Sequence, residues 1–193
     1  MNHIFLAEFD ELMGDSYRVL GQCRQEWRTF LEFAAGYFKI HDITHPLIVE
    51  IGIWRNTQKQ FYEKLLGAEH IGIDIDKRAN PDILGDSLAP STLNSLRDRL
   101  AGRMIDLLFI DGHHSYAGVK GDYETYAPMT RYLVAIHDVL CTTHKEVDVN
   151  RFWVELQAND KDHPFILFHK SRSHERGTIF DGQEMGIGLM VKE

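Results

Sequence analysis

What most constrains this chain is a series of short apolar runs, each closing on an acid, a glycine or a histidine and each followed by a helical stretch. "PLIVEIG" ends at Gly52, "HIGIDID" at Asp76 and "MIDLLFID" at Asp111, while "YLVAIHDV" passes through His137 and Asp138. Runs this short and this uniformly apolar are typical of strands buried on both faces. Between them, "TQKQFYEKLLG", "SLAPSTLNSLRDRLAG" and "YAGVKGDYETYAPM" read as helices, and "VNRFWVELQAND" follows the last. Parallel strands need crossover connections, so this alternation predicts an α/β fold with a doubly wound, mostly parallel sheet. "PFILFHK" and "GIGLMVKE" are close enough in sequence to pair antiparallel at its edge. The sheet core is expected over residues 46–193 of a single domain spanning 1–193.

Ahead of the first strand, residues 4–39 carry Leu20, Cys23, Trp27, Phe30, Leu31 and Phe33 at helical spacings. Such an aromatic stripe predicts a helical segment, residues 1–40, packed on a core. A cover over the ligand rim, or a face for homo-oligomer formation, is the other reading. The opening "MNHIFLAEFDELMGDS" mixes acids into its apolar stretch and does not read as a signal peptide. No apolar run approaches the ~20 residues needed to span a bilayer, so a cytoplasmic location is expected. The formal net charge of -8 disfavours nucleic acid and anionic membranes as partners. Cys23 and Cys141 show no metal or disulfide spacing. "KSRSHERG", from Lys170, is a small basic patch that reads as a solvated loop.

Ligands of such sheets lie beyond the carboxyl ends of the strands, so the endings are where chemistry is expected. They read Glu50-Ile51-Gly52, Asp74-Ile75-Asp76, Asp111-Gly112-His113-His114 and His137-Asp138. Gly52 lets the chain turn tightly and approach a ligand. Asp74, about twenty residues on, stands where a carboxylate can take ribose hydroxyls. "GDS" (Gly85, Asp86, Ser87) supplies an acid to which an adenine amino group can donate. The pattern is not G-x-G-x-x-G, and the first loop lacks the glycine density that cradles a pyrophosphate. An adenine nucleoside without a pyrophosphate is the expected ligand, with Trp54 and Arg55 at its border.

The segments "VEIGIWRNT", "HIGIDID", "ILGDS", "DLLFIDGHHSYAGVKGDYETYAP" and "IHDV" resemble the successive motifs of class I S-adenosylmethionine-dependent methyltransferases. The branch that looks nearest is the small-molecule O-methyltransferases, which include catechol-type, cephalosporin-hydroxylase-like and macrolide-sugar enzymes. The resemblance covers roughly Ile48 to Glu193. It implies a Rossmann-like, seven-stranded sheet with an antiparallel last strand, and a small hydroxylated molecule as methyl acceptor. It also implies that Glu50, Gly52, Asn56, Asp74, Ile75, Asp86, Ser87 and Asp111 surround S-adenosyl-L-methionine. Asn56 stands where the family usually has glycine, a departure softened by the tolerance of asparagine for positive φ.

Asp111 and Asp138 close neighbouring strands in such a fold, so their carboxylates can converge on one cation. The resemblance implies magnesium there, positioning and acidifying a substrate hydroxyl. His137, beside Asp138, would suit manganese or another transition metal better. The resemblance further implies a general base at His114, with His113 as the neighbouring alternative. The other histidines (His3, His41, His45, His70, His144, His163, His169 and His174) form no short ligand spacing and are expected on the surface or in packing. Two other readings of the residues stay open: a metal-dependent hydrolase or oxygenase using the Asp/His cluster, and a non-catalytic nucleotide-binding protein.

Overall fold

The computed structural model describes residues 3–14, 21–142, 144–169 and 185–193. The basic patch from Lys170 lies outside the described residues. Seven strands form one sheet: β1 (Leu47–Ile51), β2 (Glu69–Asp74), β3 (Ile83–Leu84), β4 (Ile105–Ile110), β5 (Thr130–His137), β6 (Phe165–Phe168) and β7 (Ile187–Val191). Their spatial order is β3-β2-β1-β4-β5-β7-β6. The β1 to β5 pairings are parallel, and β7 inserts antiparallel to both β5 and β6. This is the doubly wound, mostly parallel sheet expected, with its last strand reversed. β3 is the strand that the apolar runs did not reveal, because two residues are too short to carry a periodic signal.

Among the described residues, six α-helices cover the two faces: α1 (His3–Met13), α2 (Arg24–Ile40), α3 (Lys59–Leu66), α4 (Pro90–Leu100), α5 (Tyr116–Tyr126) and α6 (Val149–Asn159). Strand alternation sorts the core into two layers. Val49, Ile51, Ile71, Leu108 and Val134 pack with Leu96, Val119 and Phe152 of α4, α5 and α6. Ile48, Leu107, Phe109, Leu133 and Ala135 pack with Phe9, Trp27, Phe30 and Phe61 of α1, α2 and α3.

The N-terminal segment departs from a continuous helix over 4–39. The described helices stop at Met13 and resume at Arg24, with Gly21, Gln22 and Cys23 outside them. The aromatic stripe of α2 lies on the flat of the sheet, not over the rim. The Trp27 ring meets Phe109 edge-on at 5.7 Å between centroids, and Phe30 meets the same ring at 5.5 Å. Trp27 also contacts Tyr62 at 5.5 Å. This face is buried within the chain itself and is not available as an association surface. Trp27→Ala should therefore cost about 3–5 kcal/mol of stability, the usual scale for a large aromatic in a core. Denaturant unfolding is the check, and a change of less than about 1 kcal/mol would contradict the assignment of α2 to the core.

Candidate functional site

Because the sheet order reverses direction between β1 and β4, a crevice forms at their carboxyl ends, the switch point of such folds. There the backbones almost touch. Asp111 N–H donates to Ile51 O and Gly52 N–H to Ile73 O, each at 2.8 Å. Gly52 has φ 80°, and a Cβ on it would lie 2.2 Å from the Asp111 carbonyl oxygen. Only glycine fits. The crevice opens into a cavity of about 640 Å³, ample for a ligand of nucleoside size.

Among the residues singled out for a nucleoside, Gly52, Asp74, Ile75, Asp86, Ser87 and Asp111 line this cavity. Glu50 and Asn56 are not on its wall. Glu50 shares a sheet face with Ile48, toward α2 and α3, and is fully buried. Its Oε2 lies 2.9 Å from His70 Nε2, with the Tyr62 ring stacked on that imidazole. Burial raises the Glu50 pKa, and the His70 contact opposes the rise. Asn56 adopts the left-handed conformation, φ 56°, and its amide reaches Asn80 O at 3.4 Å.

Asp74 ties the first loop to β2. Its Oδ2 accepts from Ile53 N–H at 2.9 Å and Trp54 N–H at 3.0 Å, and its Oδ1 from Asp76 N–H at 2.7 Å. A carboxylate offers about four lone-pair sites, so room remains for about one hydroxyl rather than two. Beside it Ile75 is 74% exposed, an apolar surface that a flat ring could cover. Ser87 is fixed from behind, its hydroxyl donating to Asp122 Oδ1 at 2.6 Å.

On the opposite wall stand the two carboxylates and two imidazoles. His137 Nδ1 hydrogen-bonds to Asp111 Oδ1 at 3.1 Å and lies 3.0 Å from Asp138 Oδ1. His114 Nδ1 lies 2.8 Å from Asp138 Oδ2. Burial disfavours a charged His137, but the carboxylates of Asp111 and Asp138 outweigh it and hold its pKa well above the ordinary histidine value. The hydrogen bond to Asp138 likewise raises His114, against partial burial. Burial pushes Asp138 up, but His137 and His114 prevail and keep it far below the usual carboxylate range. Asp111, His114 and Asp138 each offer one ligand atom, all within 4.8 Å of one another. Two carboxylates and an imidazole suit a divalent cation, and they suit manganese or another transition metal better than magnesium. The structure brings His114 into this set, while the Nδ1 of His137 is turned between the acids. His113 also lines the cavity, its Nδ1 accepting from Ser115 N–H at 3.2 Å.

No family model matches the chain. An uncharacterized protein, y4gI of Sinorhizobium fredii (strain NBRC 101917 / NGR234), is 33% identical over 104 residues, which are 53% of this chain. The chain spans only 11% of that protein. Solved structures match over the whole length. The O-methyltransferase TomG from Streptomyces achromogenes, in complex with SAM, superposes with a TM-score of 0.61 at 14% identity, covering 100% of this chain and 92% of that one. The fold is the one these O-methyltransferase structures share. An O-methyltransferase from Bacillus cereus in complex with SAH gives 0.60 at 16% identity, with coverages of 100% and 92%. MycE, in complex with Mg, SAH and mycinamycin VI, gives 0.60 at 14% identity, over 94% of this chain and 53% of that one.

Sequence reasoning passed over several residues of the cavity. Gln58, His144, Val147 and Met185 line it, and Gln22 reaches Asp111 from the N-terminal segment. None belongs to a strand end, which was the only signal available. His70, expected in packing, is buried against Glu50, whereas His144 is on the cavity wall.

Asp122, also unforeseen, is fully buried on α5, and burial pushes its carboxyl up to about 6 despite the Ser87 hydrogen bond. A folded-state pKa above the unfolded ~3.9 means folding binds a proton. The stabilising contribution is complete below about 4 and is lost as pH rises through about 6. Asp122→Asn, which keeps an acceptor for Ser87, should remove that decline between about pH 4 and 6.5. Urea unfolding of both proteins across this window measures it. Parallel curves would show that Asp122 ionises normally.

Proposed function

We propose that the chain transfers a methyl group from S-adenosyl-L-methionine to a hydroxyl of a small molecule, with a divalent cation held by the carboxylates of Asp111 and Asp138 and His114 beside them as the general base. One observation carries the reading. The Asp74–Ile75 wall, suited to a ribose and a flat ring, and the Asp/His cluster, suited to a hydroxyl, face one cavity. The fold shared with SAM- and SAH-bound O-methyltransferases supports it, as does the magnesium bound in MycE. A hydrolase or oxygenase would leave the nucleoside wall without a role.

The sulfonium of the donor supplies an activated methyl group, so the protein's task is alignment and a nucleophilic oxygen. Gly52 allows the first loop to lie flush against the donor. Asp74 accepts from a ribose hydroxyl and at the same time closes that loop. Ile75 covers one face of the adenine, and Asp86 accepts from its amino group. A cation at the Asp111 and Asp138 carboxylates would orient and acidify the acceptor hydroxyl. His114 takes the hydroxyl proton and passes it outward, a role supported by its side chain being 42% exposed against 6% for His137. His113 is the alternative carrier, one residue upstream.

Calorimetry should give S-adenosylhomocysteine a Kd in the micromolar range or tighter, with NAD far weaker. Asp74→Ala should weaken the interaction by ~10–100-fold, the worth of a hydrogen bond to a charged group. Asp111→Ala and Asp138→Ala should abolish methyl transfer with S-adenosylhomocysteine affinity largely kept. His114→Ala should slow turnover by ~10²-fold or more. Tight NAD binding without S-adenosylhomocysteine binding would refute the assignment, and a chelator-insensitive enzyme would remove the cation from it.

A further inference from the structure

The N-terminal segment enters the site at one residue that the proposed chemistry leaves unused. Gln22 is only 6% exposed, and its Nε2 donates to Asp111 Oδ2 at 3.1 Å across a separation of 89 residues. We infer that Gln22 is a positioning residue, which sets the plane of the Asp111 carboxylate and thereby its capacity to ligate a cation. The inference rests on the reading of Asp111 as a ligand.

Three features make the placement of Gln22 specific. Gly21, with φ 72°, turns the chain just before it and lies against the Trp54 ring. One residue after it, the Cys23 carbonyl accepts from Trp27 N–H at 2.8 Å and starts α2. That helix is anchored by Trp27 and Phe30 on the ring of Phe109, two residues before Asp111 in the chain. Successive same-face positions at the end of β4 therefore hold the helix and receive its amide. The packing and the hydrogen bond fix each other.

The two oxygens of Asp111 are thus divided between partners, Oδ2 to Gln22 and Oδ1 to His137. A carboxylate held at both oxygens cannot rotate about its Cβ–Cγ bond without losing one of them. The donor is also neutral. An arginine or lysine at position 22 would bind the carboxylate more strongly but would offset the charge a cation needs, whereas an amide orients it and leaves the charge in place. Partners of ligating carboxylates commonly act in this way, and their removal weakens metal binding by roughly 10–100-fold.

The test is direct titration of the full chain with Mn²⁺, followed by calorimetry and by the loss of free-ion paramagnetic resonance signal. Gln22→Met, similar in size but without a donor, should lower Mn²⁺ affinity ~10–100-fold. S-adenosylhomocysteine affinity and the melting temperature should stay near those of the parent. Gln22→Asn, which keeps a neutral amide donor and adds no metal ligand, should retain more of the Mn²⁺ affinity than Gln22→Met, a difference that a purely packing role would not produce. Parent-like Mn²⁺ binding by Gln22→Met, with binding lost in Asp111→Asn, would overturn this inference alone. Undiminished binding by Asp111→Asn, or no binding by the parent, would overturn the ligand reading on which it rests. Should Gln22→Met fail to fold, Gln22→Leu takes its place, with the same loss of Mn²⁺ affinity expected.

Discussion

The structure depends on a backbone contact between two strands that are neighbours in space but far apart in sequence. At the carboxyl end of β1 the chain turns at Gly52 directly against the Asp111–Gly112 peptide, with no space for a side chain. That contact sets how closely β1 and β4 approach at the point where the sheet reverses its order. It also brings the first loop and the Asp111–His114 turn to two sides of one crevice. Asp74 reinforces the arrangement from β2 by accepting the N–H groups of Ile53 and Trp54. Site and fold therefore share the same few hydrogen bonds, and a residue at this junction acts on both.

Charge at the far wall follows from that geometry. Asp111 and Asp138, at the ends of adjacent parallel strands, would repel each other in a partly dry crevice. His137 lies between them with its Nδ1 about equidistant from one oxygen of each. The second oxygen of Asp138 faces His114, and that of Asp111 faces Gln22. Every carboxylate oxygen in the pair has a defined neighbour. His137 is thus an internal counter-charge that keeps two acids close in the free protein.

Much of this was legible in the sequence, because strand ends are marked by changes of residue type that need no tertiary knowledge. The order of apolar runs signals the parallel sheet, and "PFILFHK" and "GIGLMVKE" signal its antiparallel last pair, but not that β7 inserts between β5 and β6. Asp74, Asp86, Asp111, His114 and Asp138 were visible for the same reason. What escaped was whatever depends on the face a side chain takes or on contacts across the sheet. Glu50 looks like a rim residue, yet period-two alternation turns it toward α2 and α3, where His70 meets it. The break between α1 and α2 was hidden, since Leu20, Cys23 and Trp27 keep helical spacing in the sequence. Gln22 lies in no motif, and Asp122 lies in the helical part of one, away from the strand ends. One is brought to Asp111 by a helix packed on the sheet's opposite layer from α5, and the other is buried on α5 behind Ser87.

The two imidazoles also separate by position in a way that bears on their work. A group that takes a proton from an acceptor must pass it to solvent between turnovers. His137 is 5% exposed, and its Nε2 is buried without a hydrogen-bond partner among the described residues. Its protonation is coupled to the carboxylates around it and has no outlet. His114 follows β4 on the turn that the Gly52 contact fixes, and its ring is partly in solvent while its Nδ1 reaches Asp138. An imidazole in that position can exchange its proton with the bulk or release its carboxylate to a cation, and it can do so without disturbing the sheet. Residue type alone makes His113, His114 and His137 equivalent. Their placement relative to the two acids distinguishes them: His137 lies between the carboxylates, and under the proposed function the mobile proton belongs to His114.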